Sequence, residues 1–381
     1  MIKGADRLNH IEEYYFSKKL REVKKLENDG KPIINMGVGS PDIAPPNKII
    51  ESLQKSLNDK NAHRYQSYKG TELLRSSIKT FYKNSYNVEL NSEKNILPLL
   101  GSKEGIMHIS LAFLNPGDEV LIPDPGYPTY TSVTNIIGAK PVYFDLNEDN
   151  SWFPNIEKLS QLDLTNVKLM WINYPNMPTG SDLNINKLSE LISFARENQI
   201  LLINDNPYSF ILNDNPKSIL SVKNSLDYCM ELNSLSKSFN MSGWRVGMLC
   251  GSQINIDNVL KIKSNMDSGM FYGVQMGAVG ALKLDDSWFK KINNIYFKRK
   301  KLVHEICDIL NLSYDSNSVG MFVWAKINSK KSSKEMTDFL LYEKNIFIAP
   351  GFIFGKNGEG YIRFSLCIED KFIIEAKRRL I

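Results

Sequence analysis

Between residues 47 and 283, short apolar runs alternate with helical stretches, and that alternation restricts the chain to an α/β domain. Runs at 95–100, 119–122, 140–144, 167–172, 200–204, 228–232 and 246–250 have the length and apolar character of buried strands. Helical patterns follow at 103–113, 127–137, 185–197 and 273–283. Upstream, a charged helix is expected over 10–27, closed by Asn28-Asp29-Gly30. The stretch Ile33-Ile34-Asn35-Met36 then reads as a short strand, ending in the Gly/Pro turn Gly37-Val38-Gly39-Ser40-Pro41-Asp42. From about residue 288 a long amphipathic helix leads into a smaller α+β region, with a strand at 361–366 and a final charged helix. The expected division is a large α/β domain over 47–285 and a small α+β domain built from 1–46 and 286–381. No repeat or low-complexity segment interrupts it.

At 381 residues, with 42% hydrophobic and 23% charged side chains, the chain buries a substantial core without staples. The net charge of +5 is dispersed, and its richest stretch, Phe297-Lys298-Arg299-Lys300-Lys301, reads as a solvated helix face. No basic stripe carries base-reading or stacking residues, so nucleic acid is not an expected partner. Cys229, Cys250, Cys307 and Cys367 are far apart and form no CxxC pair, which suits buried thiols in a reducing compartment. His10, His63, His108 and His304 are equally scattered, and no metal site is expected. No signal-peptide core follows Met1, and no run approaches the roughly 20 apolar residues of a membrane span. A cytoplasmic protein with no membrane partner is the expectation.

In α/β sheets, ligands bind beyond the carboxyl ends of the strands. The unusual polar and glycine-rich segments of this chain fall at those ends. Gly101-Ser102-Lys103 follows the first strand, Pro123-Asp124-Pro125-Gly126-Tyr127-Pro128 the second, and Asn173-Tyr174-Pro175-Asn176-Met177-Pro178-Thr179-Gly180 the fourth. Asp205-Asn206-Pro207-Tyr208 follows the fifth, and Ser234 and Lys237 follow the sixth. Each alone reads as an ordinary turn; together they make one polar rim on one sheet edge.

The chemistry of these residues is specific. Free N–H groups at a helix start attract an anion, and glycine admits it closely, although Ser102 also reads as a simple N-cap. Ser234, Ser236 and Arg245 can converge on the same phosphate. Lys237, amid hydroxyls in Ser234-Leu235-Ser236-Lys237-Ser238, suits a lysine that carries a carbonyl cofactor as a Schiff base. Asp205, closing an apolar run, needs a partner; a pyridinium N–H is one, a helix-capping role the other. Tyr208 can donate to a ring phenolate, and Tyr127 can stack on the ring or fill the core. Arg363, between Ile362 and Phe364, either makes an internal ion pair or clamps a substrate carboxylate.

Taken together, these residues resemble the fold-type I, class I pyridoxal-phosphate aminotransferases from about Gly37 to Arg363. The motifs are Gly39-Ser40-Pro41-Asp42, Tyr65 to Gly70 with Leu74-Arg75, Gly101-Ser102-Lys103, Pro178-Thr179-Gly180, Asp205-x-x-Tyr208, Ser234-x-x-Lys237 with Arg245, and Arg363. Gly101 to Ile106, Asp124 to Pro128 and Ile262 to Phe271 are most similar to the L,L-diaminopimelate aminotransferase branch. The resemblance implies a three-layer α/β/α domain with a mostly parallel seven-stranded sheet, bound pyridoxal 5′-phosphate, and amino acid and 2-oxo acid substrates. It further implies that Lys237 holds the cofactor and moves the proton, that Asp205 meets the ring nitrogen and that Tyr208 meets the ring oxygen. The backbone of Gly101, Ser102 and Lys103, with Ser234, Ser236 and Arg245, would hold the phosphate, and Tyr127 would cover the ring. Gly39 and Arg363 would take the substrate α-carboxylate. Tyr65 would reach the phosphate of a neighbouring subunit, which implies a homodimer with shared sites. The family carries Asn before Pro-Thr-Gly; here that position is Met177, whose thioether donates nothing, so Asn176, Asn173 or Tyr208 alone is left for the ring oxygen. Aspartate or aromatic aminotransferase and pyridoxal-phosphate C–S lyase are the alternatives on the same fold. A non-catalytic regulator would need a DNA-binding domain, and the 46 residues before the α/β region show no helix-turn-helix.

Overall fold

The computed structural model describes every residue except Met1, Ile11, Glu12 and Tyr14, with the backbone alone for Asn9 and His10. At its centre is a seven-stranded sheet ordered Ile96–Leu99, Gly247–Cys250, Cys229–Ser234, Leu201–Asp205, Val167–Ile172, Glu119–Asp124 and Lys140–Asp145. All pairings are parallel except those of Gly247–Cys250, which runs against both its neighbours. The inner strands are buried on both faces because both faces are covered, whereas the edge strand Lys140–Asp145 is partly exposed. Met170, Ile172 and Leu202 join one core with Leu74, Ile78, Leu188 and Leu191 from helices on one side. Their sequence neighbours Leu169, Trp171 and Ile203 join another core with Ile106, Ile109 and Val259 on the other side. This period-2 partition makes the three-layer α/β/α arrangement. The strands and helices expected between 95 and 283 are all present, within two residues at each end.

A four-stranded antiparallel sheet (Ala349–Pro350, Tyr361–Ser365, Phe322–Ile327, Leu312–Tyr314) packs with the helices Asp286–Ile309 and Asp370–Leu380. The long helix starts two residues before its expected position, where the Asp285 carboxylate caps the Ser287 N–H at 2.9 Å. The N-terminal segment ties into this region. Ile34–Asn35 pairs in parallel with Ile346–Phe347, and the Ser365 N–H reaches the Met36 carbonyl at 2.7 Å. The charged helix expected over 10–27 runs over Tyr15–Asn28, preceded by a 3-10 turn at Asp6–His10; Ile11, Glu12 and Tyr14 of the expected span lie outside the described residues.

The basic stretch 297–301 departs from expectation. Lys298 and Lys301 are solvated, but Arg299 and Lys300 are buried. Arg299 forms a two-pronged bond to Asp42 at 2.7 and 2.8 Å and also meets Asp370 and the Leu366 carbonyl. The charges fold inward because Asp42, 257 positions away in sequence, supplies the matching fork. That pair pins the turn after Gly39 to the long helix.

Candidate active site

A cavity of about 380 Å³ opens at the carboxyl ends of the central strands, where loops from the large sheet meet the N-terminal segment and the small sheet. Lys237 lies three residues beyond the strand end at Ser234. The loop is held compact by the Leu235 N–H on the Val246 carbonyl (3.1 Å) and by Asn240 in the left-handed region. The Lys237 ammonium donates to the Gly39 carbonyl. Burial pulls its pKa below the ordinary lysine value, with Cys367 and Asp205 opposing and Arg363 and Arg245 reinforcing the shift.

Gly101 has φ +98°, and a Cβ there would lie 2.1 Å from Arg245 Nη2, so only glycine lets that guanidinium close over the start of helix Ser102–Phe113. Arg245 donates to the Ser242 carbonyl at 2.8 Å and approaches Ser236 Oγ at 3.5 Å; Ser234 Oγ bonds Ser236 Oγ at 2.9 Å. A helix N-terminus, two hydroxyls and a guanidinium therefore surround one corner of the cavity, a donor set suited to a phosphate.

Asp205 is the last residue of its strand, not a helix cap, and is buried. Its Oδ2 accepts from the Tyr130 hydroxyl at 3.0 Å, while Oδ1 is buried without a hydrogen-bond partner among the described residues. Burial raises its pKa to about 7, against the pull of the Tyr130 hydrogen bond and the Lys237 charge. Tyr208 and Tyr127 also line the cavity, and burial raises both phenols.

Arg363 is buried on the small sheet. Its Nη2 donates to the Gly37 carbonyl at 2.8 Å, Nη1 lies 3.2 Å from Met177 Sδ, and its guanidinium sits 3.9 Å over the Phe322 ring. A Cβ on Gly39 would meet Phe322 Cζ at 2.3 Å, so glycine is needed for this segment to pass close to the Phe322 ring.

Three sequence candidates lie off the cavity wall: Gly101, which sits against the Arg245 guanidinium, Asn176 and Tyr65. Asn176 spends its amide within its own turn, donating to the Asn173 carbonyl (3.1 Å) and accepting from Thr179 Oγ1 (2.7 Å). Asn173 lines the cavity, but its Oδ1 accepts the Met177 N–H at 2.8 Å and its Nδ2 bonds the Asp205 carbonyl. Tyr65 is 91% exposed and outside its own chain's cavity. The sequence reading missed Phe16, Leu20, Val38 and Phe322 on the wall, and Tyr130 behind Asp205. Phe16 and Leu20 share one helix face by their spacing of four, and Tyr130 follows Tyr127 by three; those spacings were the available signal.

A family model described as aminotransferase class I and II matches residues 31–380. The LL-diaminopimelate aminotransferase of Aquifex aeolicus is 35% identical over 382 residues, spanning 100% of this chain and 99% of the relative. The protein of the same name from Natranaerobius thermophilus is 38% identical over 369 residues, spanning 96% of each. Among solved structures, substrate-bound BacF from Bacillus subtilis matches with a TM-score of 0.94 at 32% identity, covering 100% of this chain and 97% of that one.

Proposed function

Because this chain belongs to the class I and II aminotransferases, we propose that it moves an amino group between an L-amino acid and a 2-oxo acid, with pyridoxal 5′-phosphate carried on Lys237. The observation that supports this most strongly is the convergence on one cavity of Lys237, an anion cradle and a buried carboxylate with a spare oxygen. Bound pyridoxal phosphate supplies an electron sink that stabilises negative charge at the substrate α-carbon. Ser102, Ser234, Ser236 and Arg245 would hold the phosphate. Asp205 Oδ1 would accept from the ring N–H, and that contact would offset the tendency of this buried carboxyl to retain a proton. Tyr208 serves the ring oxygen, since Asn176 is engaged elsewhere and Met177 offers no donor. Burial lowers the Lys237 pKa, which suits the side chain to hold the cofactor and, once the incoming amine has displaced it, to carry the proton at the substrate α-carbon. Arg363 receives the α-carboxylate as a fork donor.

The exposed Tyr65, with Tyr68, Leu73 and Phe271 also exposed, supports a homodimer in which Tyr65 reaches the partner's site. For the amino donor, the names of the relatives put LL-diaminopimelate first. A second reading, an apolar or aromatic donor, is favoured by Phe16, Leu20, Val38 and Phe322 on the cavity wall. A site walled by such groups leaves a distal charge unpaired. Incubation with a donor panel (LL-diaminopimelate, aspartate, aromatic and aliphatic amino acids) plus 2-oxoglutarate, scored for glutamate, separates these readings. With a thioether amino acid added to the panel, release of pyruvate, ammonia and a thiol without glutamate would indicate a C–S lyase and overturn the proposal.

A further inference from the structure

The carboxylate expected to meet the cofactor ring is held from behind by a residue with no assigned role. Tyr130 is fully buried on helix Thr129–Ile136, with its ring stacked 4.9 Å from Trp171 at an interplanar angle of 6° and edge-on to Tyr127 at 5.6 Å. Its hydroxyl points at Asp205 Oδ2, 3.0 Å away. Asp205 is fixed by its own backbone as well, through the Asn173 amide on its carbonyl. One carboxylate oxygen is thus committed, and Oδ1 is the one left over.

We propose that Tyr130 is a positioning residue for cofactor binding: its hydroxyl orients Asp205 through Oδ2 and reserves Oδ1 for the ring N–H of pyridoxal phosphate. The inference rests on the reading of the cavity as a pyridoxal-phosphate site. A buried carboxylate with one donor is easier to keep ionised than one with none. Burial raises Asp205 to about 7, and the Tyr130 bond acts against that, as does the Lys237 charge. The aromatic stack fixes the ring without help from the hydroxyl, so the hydroxyl has no evident packing task.

The test is a double-mutant cycle on the apoprotein, reading the dissociation constant for pyridoxal phosphate by absorbance. Tyr130→Phe keeps the ring against Trp171 and removes only the donor. It is expected to weaken cofactor binding by about 10- to 100-fold, the range for a hydrogen bond to a charged group. In an Asp205→Ala background the same change is expected to alter binding less than about twofold, because its target is gone. Equal weakening in both backgrounds would assign Tyr130 a packing role and overturn the inference, as would no change in the parent. Should Tyr130→Phe fail to fold, 3-fluorotyrosine at position 130 strengthens the donor at nearly constant volume and is expected to tighten binding; unchanged or weaker binding would overturn the inference. If the parent apoprotein does not take up pyridoxal phosphate, the reading of the cavity itself fails; if it does and the cycle is additive, only the role of Tyr130 falls.

Discussion

The cavity has two walls of different origin. The rim of the large sheet contributes polar groups at strand ends: Ser102, Asp205, Ser234 and Lys237. The N-terminal segment and small sheet contribute mostly apolar ones, Phe16, Leu20, Val38 and Phe322, with Arg363 as their single cation among the described residues. On the first wall, residues are placed by the strand that precedes them, so their positions follow from local sequence. On the second wall, residues more than 300 positions apart meet, as Arg363 does with the Gly37 carbonyl. The first wall is suited to chemistry common to the family; the second is where a donor's side chain would be chosen.

Breaking the first wall is expected to have the largest effect. Lys237→Ala should abolish turnover and the borohydride-trappable cofactor adduct; retention of both would remove Lys237 from its role. Next comes the clamp. Arg363→Ala should lower kcat/KM for every donor by about 2–5 kcal/mol of lost transition-state binding, the cost of leaving a carboxylate unpaired in a buried site. A loss confined to one donor class would place the α-carboxylate elsewhere.

Changes on the apolar wall should be smaller and selective. Leu20→Ser is expected to shift the ratio of kcat/KM for apolar over charged donors by roughly tenfold, with little change in cofactor affinity. An equal effect on all donors would mean that Leu20 supports the fold and does not choose the substrate.

The smallest effect concerns pH. The folded Asp205 pKa of about 7 lies above the unfolded carboxyl value, so between these pH values the native apoprotein binds more protons than the unfolded chain. Its contribution to apoprotein stability is fully present below about pH 4 and is lost as pH rises through about 7, by a few kcal/mol at most on the order of one unit per 1.4 kcal/mol. Asp205→Asn should flatten that part of the urea-melt pH profile. An identical profile in the variant would show that Asp205 is not the titrating group.

The relation of these walls to the sequence explains what was legible. The seven strands in 95–283 were readable as short apolar runs and four helices as the stretches between them, whereas helix Gln253–Lys263 was not expected; Asp205, Ser234 and Lys237 were readable because they close or follow apolar runs. Arg299 was misread as solvated, since nothing near it announces Asp42. Asn176 was legible as an amide one position before the family's Asn, but its turn consumes that amide internally. Tyr130 was hidden because an aromatic on a buried helix reads as packing until the strand opposite supplies a carboxylate.

By itself, then, the sequence determined the layered α/β frame and the polar rim, because hydrophobic period and strand-end chemistry are local properties. Only the tertiary structure decided which oxygen of Asp205 is spare, that Phe16 and Leu20 wall the cavity, and that Arg363 points between Gly37 and Met177. Those facts depend on contacts between distant segments, and such contacts are set by the packing of whole elements rather than by the residues on either side.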